Sequence, residues 1–144
     1  MRRVFLSVLT VIGLAAVGGC MPRKPANPEA EQAALTAARD WVALLDEGAY
    51  GTAWEEAGGY FRNALTKDQW IRSMRAAREP MGEVVSREKK KSRYATTMPG
   101  APDGQYVMIR FETAFAEKEA AVETITPMLD EESGIWRVTG YYIK

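Results

Sequence analysis

The chain contains no histidine and a single cysteine among its 144 residues. Without histidine, Ser-His and Cys-His catalysis and histidine-dependent metal sites are excluded. One cysteine rules out an intrachain disulfide and any multi-cysteine metal site. No excess of either charge is present: 19 basic residues face 19 acidic ones. Such a balance gives no sign of a nucleic-acid binder. No apolar run is long enough to cross a bilayer. The longest, Val4 to Val17, is broken only by Ser7, Thr10 and Gly13, and falls short of the about 20 residues a spanning helix needs.

That run has another explanation. Basic residues Arg2 and Arg3 precede it, and the small residues Gly18 and Gly19 follow it. A basic start, an apolar middle and small residues before a cleavage point are the parts of a secretory signal. The stretch ends Val17-Gly18-Gly19-Cys20, which resembles the lipobox of bacterial lipoproteins at every position. The resemblance implies acylation of the Cys20 thiol, cleavage after Gly19, and acylation of the new amino group. Two or more acyl chains anchor a protein stably where one does so only marginally. Residue 21 is Met; aspartate there would mark inner-membrane retention, so the same sorting rule implies the outer membrane, facing the periplasm.

Three segments are therefore expected: a signal peptide over 1–19, a lipidated cysteine and flexible tether over 20–32, and one globular domain over 33–144. The tether carries Pro22, Pro25 and Pro28 with little apolar bulk, a composition that stays extended. The mature chain is large enough to bury its own core.

Helical periodicity governs the first half. Ala34, Ala37, Trp41, Leu44 and Leu45 share one face of a helix over about 28–47, with Pro28 at its start and Gly48 at its stop. Trp54, Ala57, Phe61 and Ala64 keep the spacing over 50–65, weakened by Gly58-Gly59. Thr66-Lys67-Asp68-Gln69 fits a capping box for a third helix, lined by Trp70, Met74 and Ala77 and ended by Pro80 and Gly82. The aromatics Trp41, Trp54, Phe61 and Trp70 read as core.

The period then changes to two. Strands are expected over 84–98, 105–116, 120–129 and 135–143, with Pro99 to Gly104 as a strong turn. In the second, Val107, Ile109, Phe111, Thr113 and Phe115 take one face and Tyr106, Met108, Arg110 and Glu112 the other. Pro127 predicts an edge strand or a bulge. Helices followed by an antiparallel meander give an α+β domain, three N-terminal helices on a curved four-stranded antiparallel sheet. This order resembles the cone of nuclear transport factor two and ketosteroid isomerase, a fold that hosts binding proteins and enzymes alike.

A further resemblance rests on Asp46-Glu47-Gly48, Lys67-Asp68-Gln69-Trp70, Pro80-Met81-Gly82, the 99–106 loop string and Trp136-Arg137-Val138-Thr139-Gly140-Tyr141-Tyr142-Ile143. These look like a family of small bacterial envelope proteins, domain of unknown function 4019. It implies no activity and no catalytic residue.

Charge is unevenly spread. Residues 72–93 hold eight basic side chains and three acidic, and residues 112–133 hold seven acidic and one basic. Such runs are usually solvated faces that discourage edge pairing. The sharper expectation is that Arg87, Lys89, Lys90, Lys91 and Arg93 meet an envelope protein or anionic lipid. Within a cone, Tyr60, Tyr94 and Tyr106 could put hydroxyls into a pocket, with Glu123 as a carboxylate. The reading is a non-enzymatic envelope lipoprotein that binds a partner or ligand, without cofactor or metal. The alternative is a cofactor-free enzyme using that carboxylate and those tyrosines. A buried carboxylate facing tyrosine hydroxyls in a real cavity would favour the enzyme; a centre filled by side chains would favour binding.

Overall fold

A computed structural model describes residues 26–144; the expected signal peptide over 1–19 and Cys20 lie outside them. The chain runs α1 (Pro28–Asp46), α2 (Tyr50–Glu56), α3 (Gly59–Ala64) and α4 (Lys67–Arg78), then a single 3-10 turn (Glu79–Met81). Strands β1 (Val84–Ala95), β2 (Tyr106–Phe115), β3 (Lys118–Asp130) and β4 (Ile135–Ile143) follow. They form one antiparallel sheet in sequence order, left open. The architecture is the expected α+β. Among the described residues no helix is long and apolar enough to cross a membrane.

Local chemistry sets the helix ends. Asn27 caps α1 by accepting a hydrogen bond from the Ala30 N–H at 3.1 Å, with Pro28 in the first turn. Helix α1 thus takes up residues 28–32, which the sequence also allowed as tether. It stops at Gly48, whose φ of 74° suits a residue without Cβ. Thr66 and Gln69 form the reciprocal capping box of α4.

The expected helix over 50–65 is two helices, α2 and α3. Ala57 and Gly58 are extended between them, and the Gly58 N–H donates to Val138 O on β4 at 2.8 Å. A Cβ on Gly58 would lie 2.9 Å from Thr139 Cγ2. The glycine pair breaks the helix because the chain must touch the sheet there.

The helices pack on one sheet face. Val107, Ile109, Phe111 and Phe115 of β2 are buried there with Ile125 and Val138. Trp41, Phe61 and Trp70 complete the core, their rings within 6.3 Å of one another. Their polar edges are satisfied: Trp41 Nε1 donates to Ala53 O at 2.7 Å and Trp70 Nε1 to Tyr50 O at 2.9 Å. Pro127 lies on β3, an interior strand, at a bulge beside Thr126. The bulge half of that expectation holds; the edge half does not. A bulge frees the position from the ladder bond that proline cannot make.

Candidate functional site

Six elements converge on a buried polar cluster. Asp46 ends α1 and Arg78 ends α4; Arg87 comes from β1, Thr113 from β2, Glu123 from β3 and Tyr141 from β4. The sheet register explains the placement. Glu123 pairs with Phe111 and Arg87 with Thr113, so these residues share the helix-facing side.

Glu123 is fully buried. Its Oε1 accepts from Arg87 Nε at 2.8 Å and from Thr113 Oγ1 at 2.5 Å. Its Oε2 accepts from Tyr141 Oη at 2.6 Å, with Arg78 Nη1 at 3.5 Å. Asp46 receives Arg87 in two parallel bonds, Nη1 to Oδ2 at 2.6 Å and Nη2 to Oδ1 at 2.9 Å. Arg78 Nη2 donates to the same Oδ1 at 2.6 Å, and its Nη1 donates to Tyr141 Oη at 3.1 Å. The Arg78 guanidinium also lies 4.9 Å from the centre of the Phe115 ring. Two cations thus meet two anions, and no buried side-chain nitrogen or oxygen among the described residues lacks a partner.

The electrostatics follow from this crowding. Burial acts to raise the Asp46 pKa, but hydrogen bonds and charge from Arg87 and Arg78 outweigh it, and the carboxyl is held below its usual value. Burial, then the adjacent Glu123 carboxylate, push the Tyr141 hydroxyl up, so it stays protonated and donates. Burial acts to lower both guanidiniums, yet Tyr141, Asp46 and Glu123 outweigh it at Arg78, and Asp46 and Glu123 do so at Arg87, so both are raised.

The four residues expected around a pocket do not converge. Only Glu123 belongs to the cluster, and the tyrosine that meets it is Tyr141. Tyr60 is exposed and donates to Gly100 O at 2.6 Å. Tyr94 sits in the core, its hydroxyl donating to Gln105 Oε1 at 3.1 Å. Tyr106 lies on the other sheet face and donates to Pro102 O at 2.5 Å. Tyr60 instead lines an open groove of about 400 Å³ with Gly58, Pro102, Asp103, Met128 and Arg137. Among the described residues no group of three or more Asp, Glu or Cys side chains is placed to hold a metal.

The basic strand divides as well. Arg87 is consumed by the cluster. Lys90, thrown onto the open sheet face by a bulge between Lys89 and Lys91, bridges Glu88 at 2.9 Å and Glu112 at 3.3 Å. Glu88 and Glu112 stand directly opposite one another, a like-charge pair that Lys90 relieves. Lys89, Lys91 and Arg93 have no ion pair among the described residues.

Sequence reasoning placed only Glu123 at a site and missed Asp46, Arg78, Arg87, Thr113 and Tyr141 as its companions. A signal was present for Glu123: it stands in phase with Ala121 and Ile125, the buried positions of β3, and an acid in an apolar row demands partners.

No curated protein and no solved structure matches the chain. A family model, described as a protein of unknown function (DUF4019), matches residues 37–141, from within α1 to within β4, and takes in all six members of the cluster. The chain belongs to that family.

Proposed function

We propose that this chain is an envelope lipoprotein, held by acyl groups on Cys20 at the periplasmic side of the outer membrane, whose domain works by binding rather than by catalysis. The helix-first order over an open sheet is in keeping with the cone of nuclear transport factor two. The supporting observation is the saturation of Glu123. A carboxylate base needs an open position beside it, within hydrogen-bond reach of a substrate proton. Here Arg87 and Thr113 occupy one oxygen, and Tyr141 and Arg78 crowd the other. Glu123 is fully buried among these side chains, and a groove of about 350 Å³ beside Tyr50 and Arg75 reaches the cluster only at Asp46 and Arg78. The groove beside Tyr60 lies elsewhere and excludes Glu123. Its volume is at the lower end of ligand sites, which suits a short apolar group or a partner's side chain.

Native mass spectrometry of residues 21–144 from a periplasmic preparation tests the reading. A bare monomer or dimer is the expected result. A reproducible extra mass that leaves on activation, and is lost in Glu123→Gln, would return the enzyme to favour. Anchoring is tested separately: Cys20→Ser is expected to abolish incorporation of labelled fatty acid.

A further inference from the structure

The helix-free face of the sheet carries a row that crosses all four strands. Lys91 stands opposite Arg110, Arg110 opposite Thr124, and Thr124 opposite Tyr142. Arg93 lies two residues beyond Lys91 on the same face. Lys91, Arg93 and Arg110 line a depression of about 200 Å³ with Met108 and Thr124. None of the three has a carboxylate within ion-pair distance among the described residues. Facing cations repel. Nearby on the same face, the facing Glu88 and Glu112 are relieved by Lys90, whereas Lys91 and Arg110 are left bare. At the end of the row Tyr142 is 62% exposed, an aromatic with a polar tip at a charged surface.

The row also lies where the chain leaves the domain. Ser92, between Lys91 and Arg93, turns to the helix side, and its hydroxyl donates to Glu31 in the first turn of α1. Helix α1 therefore begins beside the cationic end of β1. From Asn27 back to Cys20 the chain spans at most about 25 Å, whatever its conformation. A lipid on Cys20 keeps this corner within that distance of the bilayer.

We propose that Lys91, Arg93 and Arg110 form the membrane-facing surface of the domain and take the phosphates of anionic phospholipid headgroups, with Tyr142 at the interface. The proposal rests on the anchoring of Cys20 argued above. Each cation near an anionic bilayer raises binding roughly fivefold, so three together give about a hundredfold. That is weak for a free protein. For a tethered one the anchor supplies a high effective concentration, and the row sets which way the domain faces.

Among the described residues every helix and strand lies within 28–144, so residues 20–144 keep all of these elements. That chain, coupled through its sole cysteine to a maleimide phospholipid, is inserted into vesicles of phosphatidylcholine alone or mixed with phosphatidylglycerol. The measurement is the rate at which a water-soluble amine reagent modifies Lys91, relative to Lys67 on the helix side. Phosphatidylglycerol is expected to slow Lys91 by about tenfold or more. Raised salt or R93Q/R110Q, which changes only exposed side chains, is expected to restore the rate. Equal rates in both vesicles would overturn the proposal. So would equal protection in detergent, which would mean a second copy covers the face, or equal protection by soluble glycerol phosphate, which would mean a free phosphate ligand. The synthetic anchor makes the result independent of acylation in the cell, which the fatty-acid labelling reads by itself.

Discussion

Replacing Glu123 with glutamine keeps the side-chain shape and removes one charge from a neutral group of four. Both carboxylate oxygens now accept: Oε1 from Arg87 and Thr113, Oε2 from Tyr141. An amide keeps an oxygen for one set only. Its NH2 then faces a guanidinium N–H that cannot accept, Arg87 Nε or Arg78 Nη1, and the Thr113 or Tyr141 hydroxyl beside it must turn from donating to accepting. The cluster also keeps an uncompensated positive charge, since Asp46 alone must balance Arg78 and Arg87 with Arg78 only 4% exposed. Removing one partner of a buried pair costs about 3–5 kcal/mol. At about 4 °C of melting temperature per kcal/mol for a domain of this size, the loss is about 12–20 °C. Urea unfolding followed by circular dichroism measures the free energy, and calorimetry the midpoint. In the double variant Glu123→Gln/Arg87→Met, the uncompensated charge is gone, so the combined cost is expected to fall below the sum of the two single costs. A loss below about 1 kcal/mol in the single variant, in the range of an exposed ion pair, would refute the claim that Glu123 holds the cluster.

Two further perturbations test the Asp46 ion pairs and the approach of Gly58 to the sheet. The Asp46 carboxyl is held below its value in the unfolded chain; its stabilising contribution is therefore complete above about pH 4 and is lost as pH falls through the folded-state value. Asp46→Asn is expected to lower stability at neutral pH and to flatten the decline between about pH 5 and pH 2, read as urea midpoints across that range; an unaltered acid limb would count against the assignment. Gly58→Ala forces a methyl to 2.9 Å from Thr139 Cγ2, with an expected cost of about 1–3 kcal/mol. Thr139→Ser removes that Cγ2 while keeping the hydroxyl that donates to Thr126 O, so it is expected to recover most of the loss when combined with Gly58→Ala.

Where a residue's fate depends on its neighbours in sequence, it was legible. The bounds of β4 match the expected 135–143, and the box at Thr66 and Gln69 formed as the four-residue pattern requires. Strand β1 is shorter than expected, ending at Ala95, because residues 96–105 loop back with Gly104 N–H donating to Thr96 O. The polar cluster was legible only at Glu123. Asp46 looks like any acid near a helix end, and Arg78 is one of several arginines on α4. Local pattern cannot tell Arg78 from Arg75, yet the first is buried and the second exposed. Only the crossing of α1 and α4 over the sheet makes the difference. The tyrosines failed for a related reason: aromatic hydroxyls find the nearest free carbonyl or amide, and at Tyr60, Tyr94 and Tyr106 that acceptor lies in a loop or at a loop's edge rather than in a shared pocket.

The cluster draws one member from each of α1, α4 and the four strands, with residues 46 and 141 at its extremes. A chain missing any one of those elements would leave a charge or a hydroxyl stranded in an apolar interior. Partial structures therefore gain little, and the last element to dock completes the set for all the others. Opening should be correspondingly concerted: backbone amides flanking Arg87, Glu123 and Tyr141 are expected to exchange with solvent at one common free energy. If the proposed row on the open sheet face meets a membrane, it would then be carried by a body that moves as a unit.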